Sequence, residues 1–297
     1  MARYARLMRE GQFSRTALGA AGHRAAHQVL EGGAIFADPL AAPILGADAQ
    51  GAIDKAREQP LRRELRLFVA ARSRFAEEAA NRALSRGVRQ IVLLGAGLET
   101  FAYRLTPPQG ARVFEIDHPA TQAEKRRRLA AAGIVEPAHA VYVGCDFERQ
   151  RFVDALIGAG FETRHSSFFF WLGVSPYLSQ DAVAATLAAV AAIPGGAEIV
   201  FDYAIPPEAI ARPAAREAHR QLAAKVAAAG EPLRAHFGPA DLQRRLAGLG
   251  FDEVEDLDAG ALAARYAPGQ APARQGGGAR LVRASAPPTT ASWPGRR

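Results

Sequence analysis

With 297 residues and 49% hydrophobic content, the chain can form one large α/β domain with an elaboration, or two small domains, around a real core. No apolar run approaches the ~20 residues that span a bilayer, and one cysteine, Cys145, excludes an internal disulfide framework and a cysteine-rich zinc site. The net charge of +7 comes mostly from arginines scattered along the chain, with Lys55, Lys125 and Lys225 the only lysines; this reads as solvated charge, not as a nucleic-acid footprint.

The opening MARYARLMREGQFSR has no apolar signal-peptide core. With the cysteine usage, this makes the cytoplasm the expected location. Residues 1–12 are expected to be mobile. Ser14 can cap a helix running to about Val29, and Glu31-Gly32-Gly33 ends it. A short helix is predicted to finish near Leu45. Residues 60–85 place Leu61, Leu65, Phe68, Val69, Phe75, Ala79 and Leu84 at helical spacing. Residues 1–85 are therefore read as a helical cap over the ligand end of a sheet.

The first strand is Ile91-Val92-Leu93-Leu94, a branched apolar run too short for a stable helix. Gly95-Ala96-Gly97 stops it, a helix-like segment follows through Arg104-Leu105, and a second strand runs from Arg112 to Ile116 and closes on Asp117. Strand, glycine turn, helix and acid-terminated strand make the first half of a nucleotide-binding unit. Gly95 and Gly97 permit a sharp turn and close approach to a ligand. Asp117 sits at the ~20-residue spacing of a ribose-binding acid. The third glycine of a dinucleotide fingerprint is absent, because Thr100 and Phe101 stand there, and Glu99 puts negative charge where a pyrophosphate would rest. A ribose-bearing ligand without phosphate, such as S-adenosylmethionine (SAM), fits better than NAD or FAD.

Further along, a helix is predicted from Pro119 to about Ala132, a third strand over 140–143, a helix over 152–157 and a strongly apolar fourth strand over 166–172. A helix over 180–193, a fifth strand over 197–203 and a mostly helical excursion over 205–237 follow. A helix over 240–249 and strands over 251–257 and 279–284 complete the domain, residues 86–284, before a loose tail at 285–297. Seven strands alternating with helices predict a Rossmann-like, mostly parallel sheet with helices on both faces and an N-terminal helical cap, with the 205–237 excursion as a second lid piece.

LLGAGLETFAYRL, VFEIDHPATQAEKRRRL, the Asp146-Phe147 pair after strand three and WLGVSPYLS together resemble the leucine carboxyl methyltransferase family. The N-terminal SRTALGAAGHRAAHQVL, FADPLA and AARSRFAEEA segments narrow the resemblance to its bacterial small-molecule branch, over residues 13–257. The resemblance implies a SAM-dependent methyltransferase fold with a cap closing the pocket. Carried across, it implies that Gly95 and Gly97 approach the methionine part of SAM and that Asp117 holds the ribose. Asp146 then meets the adenine amino group with the Phe147 backbone beside it, and Arg72 pairs with the SAM carboxylate. Arg24 corresponds, across an alignment gap, to a second basic residue of the cap. One departure stands out: relatives that methylate a protein C-terminus carry a glutamate where this chain has Leu172. That argues against a phosphatase tail as acceptor and leaves the SAM amino group in need of a partner.

Read from the residues alone, Asp146 serves equally as a helix N-cap, Arg72 as a solvated helix arginine, and Tyr177 as a ligand contact or a packed loop residue. His219 and His236 in the excursion, and His23 and His27 in the cap, are the candidate general bases. A carboxylate acceptor, ionised at neutral pH, needs none; a phenol does. The expected activity is O-methyl transfer to a small, aromatic or polyketide-like acceptor by a monomer or homodimer. A nicotinamide oxidoreductase and a non-catalytic SAM-fold partner subunit are the alternatives.

Overall fold

A computed structural model describes residues 14–59, 63–147, 150–228, 230–267, 278–290 and 293. The expected mobile opening stretch, Leu61 of the long predicted helix, and residues 291–292 and 294–297 of the expected tail lie outside the described residues.

Among the described residues four helices precede the first strand: α1 (Arg15–Leu30), α2 (Ala41–Leu45), α3 (Asp48–Glu58) and α4 (Arg63–Ser85). Ser14 caps α1 as its sequence predicts, its hydroxyl accepting from the Ala17 amide at 3.2 Å. After these come β1 (Gln90–Leu94), α5 (Phe101–Arg104), β2 (Arg112–Asp117), α6 (Pro119–Ala131), β3 (Ala140–Gly144) and α7 (Phe152–Gly158). The second half runs β4 (Ser167–Trp171), α8 (Gln180–Ala191), β5 (Ala197–Ala204), α9 (Pro213–Ala228), α10 (Pro239–Leu249), β6 (Glu253–Asp258), α11 (Ala259–Tyr266) and β7 (Ala279–Ala286).

The seven strands lie in the order β3-β2-β1-β4-β5-β7-β6, and β7 runs antiparallel to both of its neighbours. Every other ladder between neighbouring strands is parallel, so the predicted Rossmann-like, mostly parallel sheet is present. Strand alternation divides the core in two. Ile91 and Leu93 of β1, with Phe168 and Phe170 of β4, pack under α4 and α11. Val92 and Leu94, with Phe169 and Trp171, pack under α7, α8 and α10. β4 is buried on both faces, which is why its sequence is continuously apolar and not alternating.

Two helices stand where the periodicity predicts none. α3 buries only Ile53 and Ala56 and carries Gly51 inside it, so its apolar stripe is too thin to read. α11 is alanine-rich and is anchored by Asp258, whose side chain accepts from the Ala261 amide at 2.8 Å, and by buried Leu262 and Tyr266. The helix-like stretch after Gly97 is shorter than predicted, a single turn at α5. Among the described residues no helix is long and apolar enough to cross a membrane.

Candidate functional site

Strand order reverses between β1 and β4, and a cavity of about 910 Å³ opens there at the carboxyl ends of the strands. Its floor is the glycine turn after β1, Asp117 at the tip of β2, Cys145 and Asp146 after β3, and Trp171 to Val174 after β4. Its roof is Ser14, Ala17 and Ala20 of the cap, with Gly230 and Glu231 from the excursion after α9.

The glycines earn their identity twice over. Gly95 and Gly97 hold φ of 67° and 47°, a left-handed region that costs other residues ~1–2 kcal/mol. A Cβ on Gly95 would lie 2.7 Å from Cγ2 of Val174, and one on Gly97 would lie 3.1 Å from Cβ of Ala17 in α1. The turn is thus pressed by the loop after β4 on one side and by the cap on the other.

Asp117 is held by that turn. One carboxylate oxygen accepts from the Gly97 amide at 2.6 Å and the other from the His118 amide at 2.7 Å. Burial pushes its pKa up, and the two amides pull against that shift. Each oxygen keeps acceptor capacity for a further donor, the pattern a vicinal diol requires. Asp146 lines the cavity beside it. It is not the cap of the next helix, because Arg151 occupies the N-cap of α7. Its loop closes on itself: the Asp146 amide donates to Oε1 of Gln150 at 3.0 Å, and the Gln150 amide to the Asp146 carbonyl at 2.8 Å. Phe147 is 37% exposed, with its ring 6.5 Å from that of Phe152.

Arg72 projects from α4 to the cavity wall and is buried. One guanidinium nitrogen donates to Oδ2 of Asp202 on β5 at 2.5 Å. The other Asp202 oxygen accepts from the Gly173 amide at 2.6 Å, so a single buried acid seats both Arg72 and the loop after β4. The Nε of Arg72 is buried with no hydrogen-bond partner, and such a donor is costly unless something completes it. Arg24 also lines the cavity but is fully engaged: Nε to Asp38 at 3.0 Å, one terminal nitrogen to the Leu98 carbonyl at 2.7 Å, the other 3.4 Å from Glu99. Burial pulls its pKa down, yet Glu99 and Asp38 outweigh it and raise the value. Conversely, burial pushes Glu99 up, but Arg24 and Arg104 hold it below the usual carboxylate range. Glu99 is therefore an ionised carboxylate in the cavity wall.

Four acids of this region were not singled out for these roles by the sequence. Asp38, fully buried, joins Arg24, Arg104 and the Thr100 hydroxyl and ties the cap to the turn after β1. Asp202 seats Arg72. Glu231 accepts from the Ser14 hydroxyl and the Arg15 amide through one oxygen and from the Thr16 amide at 2.9 Å through the other, fastening the excursion to the N-terminus of α1. In the sequence Glu99 signals only a charge that repels phosphate. FADPLA belonged to the resemblance, but the partners of Asp38 and Glu231 lie far away in sequence, and only folding brings them together.

The histidine expectation is corrected. His219 and His236 face each other with ring centroids 5.8 Å apart, and neither lines the cavity. Burial pushes both pKa values down. His27 is fully buried, with its Nε2 accepting from the Ile35 and Phe36 amides, so it holds the chain past α1. Tyr177 does line the cavity, in a tight turn whose Pro176 carbonyl accepts from the Arg234 amide at 2.7 Å. Burial pushes the Cys145 thiol up to about 11, which leaves it neutral.

Strand order, antiparallel β7 and the position of the cavity define a Rossmann-like α/β fold with a cavity at its switch point. A solved structure from Thermobifida fusca, described as a candidate methyltransferase, shares that fold with a TM-score of 0.57 at 15% identity, over 82% of this chain and 92% of that chain. A duf574 family protein from Streptomyces avermitilis does so with a TM-score of 0.55, over 82% and 94%. The family model for leucine carboxyl methyltransferases matches residues 17–191, and the chain belongs to that family. Among its relatives is YktD of Bacillus subtilis, described as a candidate S-adenosyl-L-methionine-dependent methyltransferase, 32% identical over 63% of this chain and 64% of that protein. Another, from Saccharopolyspora erythraea and described in the same terms, is 38% identical over 52% and 54%. The chain thus spans less than two thirds of the length of these relatives.

Proposed function

We propose that the protein is a SAM-dependent O-methyltransferase acting on a small-molecule oxygen acceptor. The observation that carries this reading is that one cavity is lined both by Asp117, with an amide on each oxygen and acceptor capacity to spare, and by the guanidinium-bearing Arg72, seated on Asp202. The first suits a ribose diol and the second an amino-acid carboxylate, and SAM carries both. Ionised Glu99 supplies the partner for an ammonium group that Leu172 cannot. Asp146 and Phe147 meet the adenine edge. Gly95 and Gly97 let the backbone approach the methionine part. A cavity of about 910 Å³ lies near the top of the ~300–1,000 Å³ range of ligand pockets, and it leaves room for an acceptor under Tyr177, Glu231 and the cap.

SAM, when bound, supplies a methyl group on an activated sulfonium. The residues of this chain must align an acceptor oxygen and exclude water, and such positioning supplies ~7–11 kcal/mol. A carboxylate acceptor is favoured over a phenol. His118 is the one histidine among the described residues that lines the cavity, and its Nδ1 already accepts from the Ala120 amide at 3.2 Å. Glu99 faces Arg24 and, in this reading, the SAM ammonium, and Glu231 holds α1. An acceptor that arrives ionised, with a pKa near ~4, needs no base. The dinucleotide alternative has little to rest on: α5 is a single turn, too short to offer a pyrophosphate-binding N-terminus, and Glu99 is ionised beside it.

Calorimetry with SAM, S-adenosylhomocysteine and NADPH tests the reading. SAM and its product should bind and NADPH should not. Asp117→Ala should remove two hydrogen bonds to a charged group, ~1.5–3 kcal/mol each, and weaken binding by roughly 100-fold or more. NADPH binding with no response to SAM would overturn the assignment. A methyl-transfer assay over carboxylic acids and phenols then addresses the acceptor, and binding without turnover on any of them would favour a non-catalytic subunit.

A further inference from the structure

The cavity is also lined by the start of α7 and by α8, to which the roles above assign nothing. Ala182, Ala185 and Ala189 of α8 and its C-cap residue Ala192 recur at helical spacing along it. Arg151 and Phe152 line it from α7, and Arg151 directly follows the Asp146–Gln150 loop and caps α7.

A residue from the far end of the chain also lines the cavity. β7 ends at Ala286, paired with Ala197 at the edge of the sheet remote from the ligand. The Thr289 amide donates to the Pro194 carbonyl at 2.9 Å, just past the C-terminus of α8. Four residues later in sequence, Trp293 lines the cavity. Its indole packs against the core beneath α7 and α8, and the Arg151 guanidinium lies 5.9 Å from its ring. A tryptophan in a tail otherwise read as loose thus becomes a wall of the cavity, joined through Arg151 to the loop that carries Asp146 and Phe147.

We infer that Trp293 is a cofactor-site residue that closes the adenosine end of the cavity and contributes to the affinity for SAM and its product. This rests on the SAM reading above. It adds a residue beyond the matched family region, 17–191, and from a stretch outside the predicted domain.

The test uses the full chain with Trp293→Ala and Trp293→Phe, titrated calorimetrically with S-adenosylhomocysteine and with methylthioadenosine, which lacks the amino-acid group. Both ligands should bind roughly 10- to 100-fold more weakly to the alanine variant, the range produced when an aromatic partner of a base is lost. The phenylalanine variant should recover most of that loss. A parallel loss for both ligands assigns the effect to the adenosine end; a general loosening of the fold would not be rescued by phenylalanine. Trp171 and Trp293 are the two tryptophans of the chain, so the fluorescence difference between wild type and Trp293→Phe isolates the Trp293 signal, which should change on titration. Wild-type affinity in the alanine variant, or a Trp293 signal indifferent to ligand, overturns the inference while leaving the SAM assignment intact. Failure of the wild-type chain to bind either ligand would instead remove the SAM assignment on which it rests.

Discussion

The floor and the roof of the cavity are made in different ways. The floor consists of strand tips, whose positions follow from the parallel ladders of β3, β2, β1 and β4 and whose functional groups are mostly backbone amides and the acid at the end of β2. The roof consists of α1 and the segment after α9, and these are joined by one carboxylate, Glu231, on the N-terminus of a helix. Between them lies a layer of buried charge: Arg72 with Asp202, and Arg24 with Asp38 and Glu99. The difference teaches where each property resides. In the proposed function the floor holds the adenosine-bearing ligand, and the roof and the charged layer set how the site closes and what it admits.

The largest expected effect comes from breaking the layer that couples the two. Arg72→Ala leaves Asp202 buried and uncompensated, and loss of one partner of a buried pair costs ~3–5 kcal/mol. Urea unfolding should show that loss, and calorimetry should show SAM affinity falling with it. Full SAM affinity in a folded variant would separate Arg72 from the ligand.

Next is the floor itself. Gly95→Ala should cost ~1–2 kcal/mol for its positive φ and a further ~1–3 kcal/mol for overpacking against Val174. Val174→Ala in the same chain removes the atoms that clash and should return only the second part. Complete recovery would show that the backbone conformation is not strained by a side chain.

The roof should be softer. Glu231→Ala removes the acceptor of the Arg15 and Thr16 amides and, by analogy with loss of an N-cap, should cost about 1–2 kcal/mol. In a chain of this size that lowers Tm by a few degrees. The acceptor KM should rise while SAM affinity stays near wild type. Equal loss of both would mean that the roof and the floor are one unit.

The smallest effect is expected from His219 and His236. Burial makes both weaker bases in the folded protein than in the unfolded chain, where histidine titrates near ~6.5. The unfolded state therefore binds more protons below that pH, and stability falls as pH drops through it. A His219→Gln, His236→Gln double variant should show a flatter Tm profile between pH 7 and 5. Unchanged slope would place the pH dependence elsewhere, and a changed acceptor profile at neutral pH would return these rings to the chemistry.

Much of the fold was legible because its signals are local. The apolar runs of β1 and β4, the cap at Ser14 and the glycine turn each announce themselves within a few residues. α3 and α11 were not legible, since a thin stripe with an internal glycine and an alanine-rich segment after a strand carry little periodicity. Asp117 and the glycines stand out by spacing, and folding brings them to one cavity. Arg72 needed the family resemblance, because an arginine on an amphipathic helix ordinarily faces water and here is buried against Asp202. The histidines misled because residue type indicates a base while only position decides whether it reaches a ligand.

The chain alone determined the sheet, the turn and the acid that ends β2, since these follow from alternation, backbone conformation and short spacing. Tertiary structure decided which groups meet: Asp38 with Arg24, Asp202 with Arg72 across 130 residues, Glu231 with Ser14 across 217, and Trp293 with Arg151. Ion pairs and packing of that range depend on distances in space, and linear order leaves those distances open until the hydrophobic layers close.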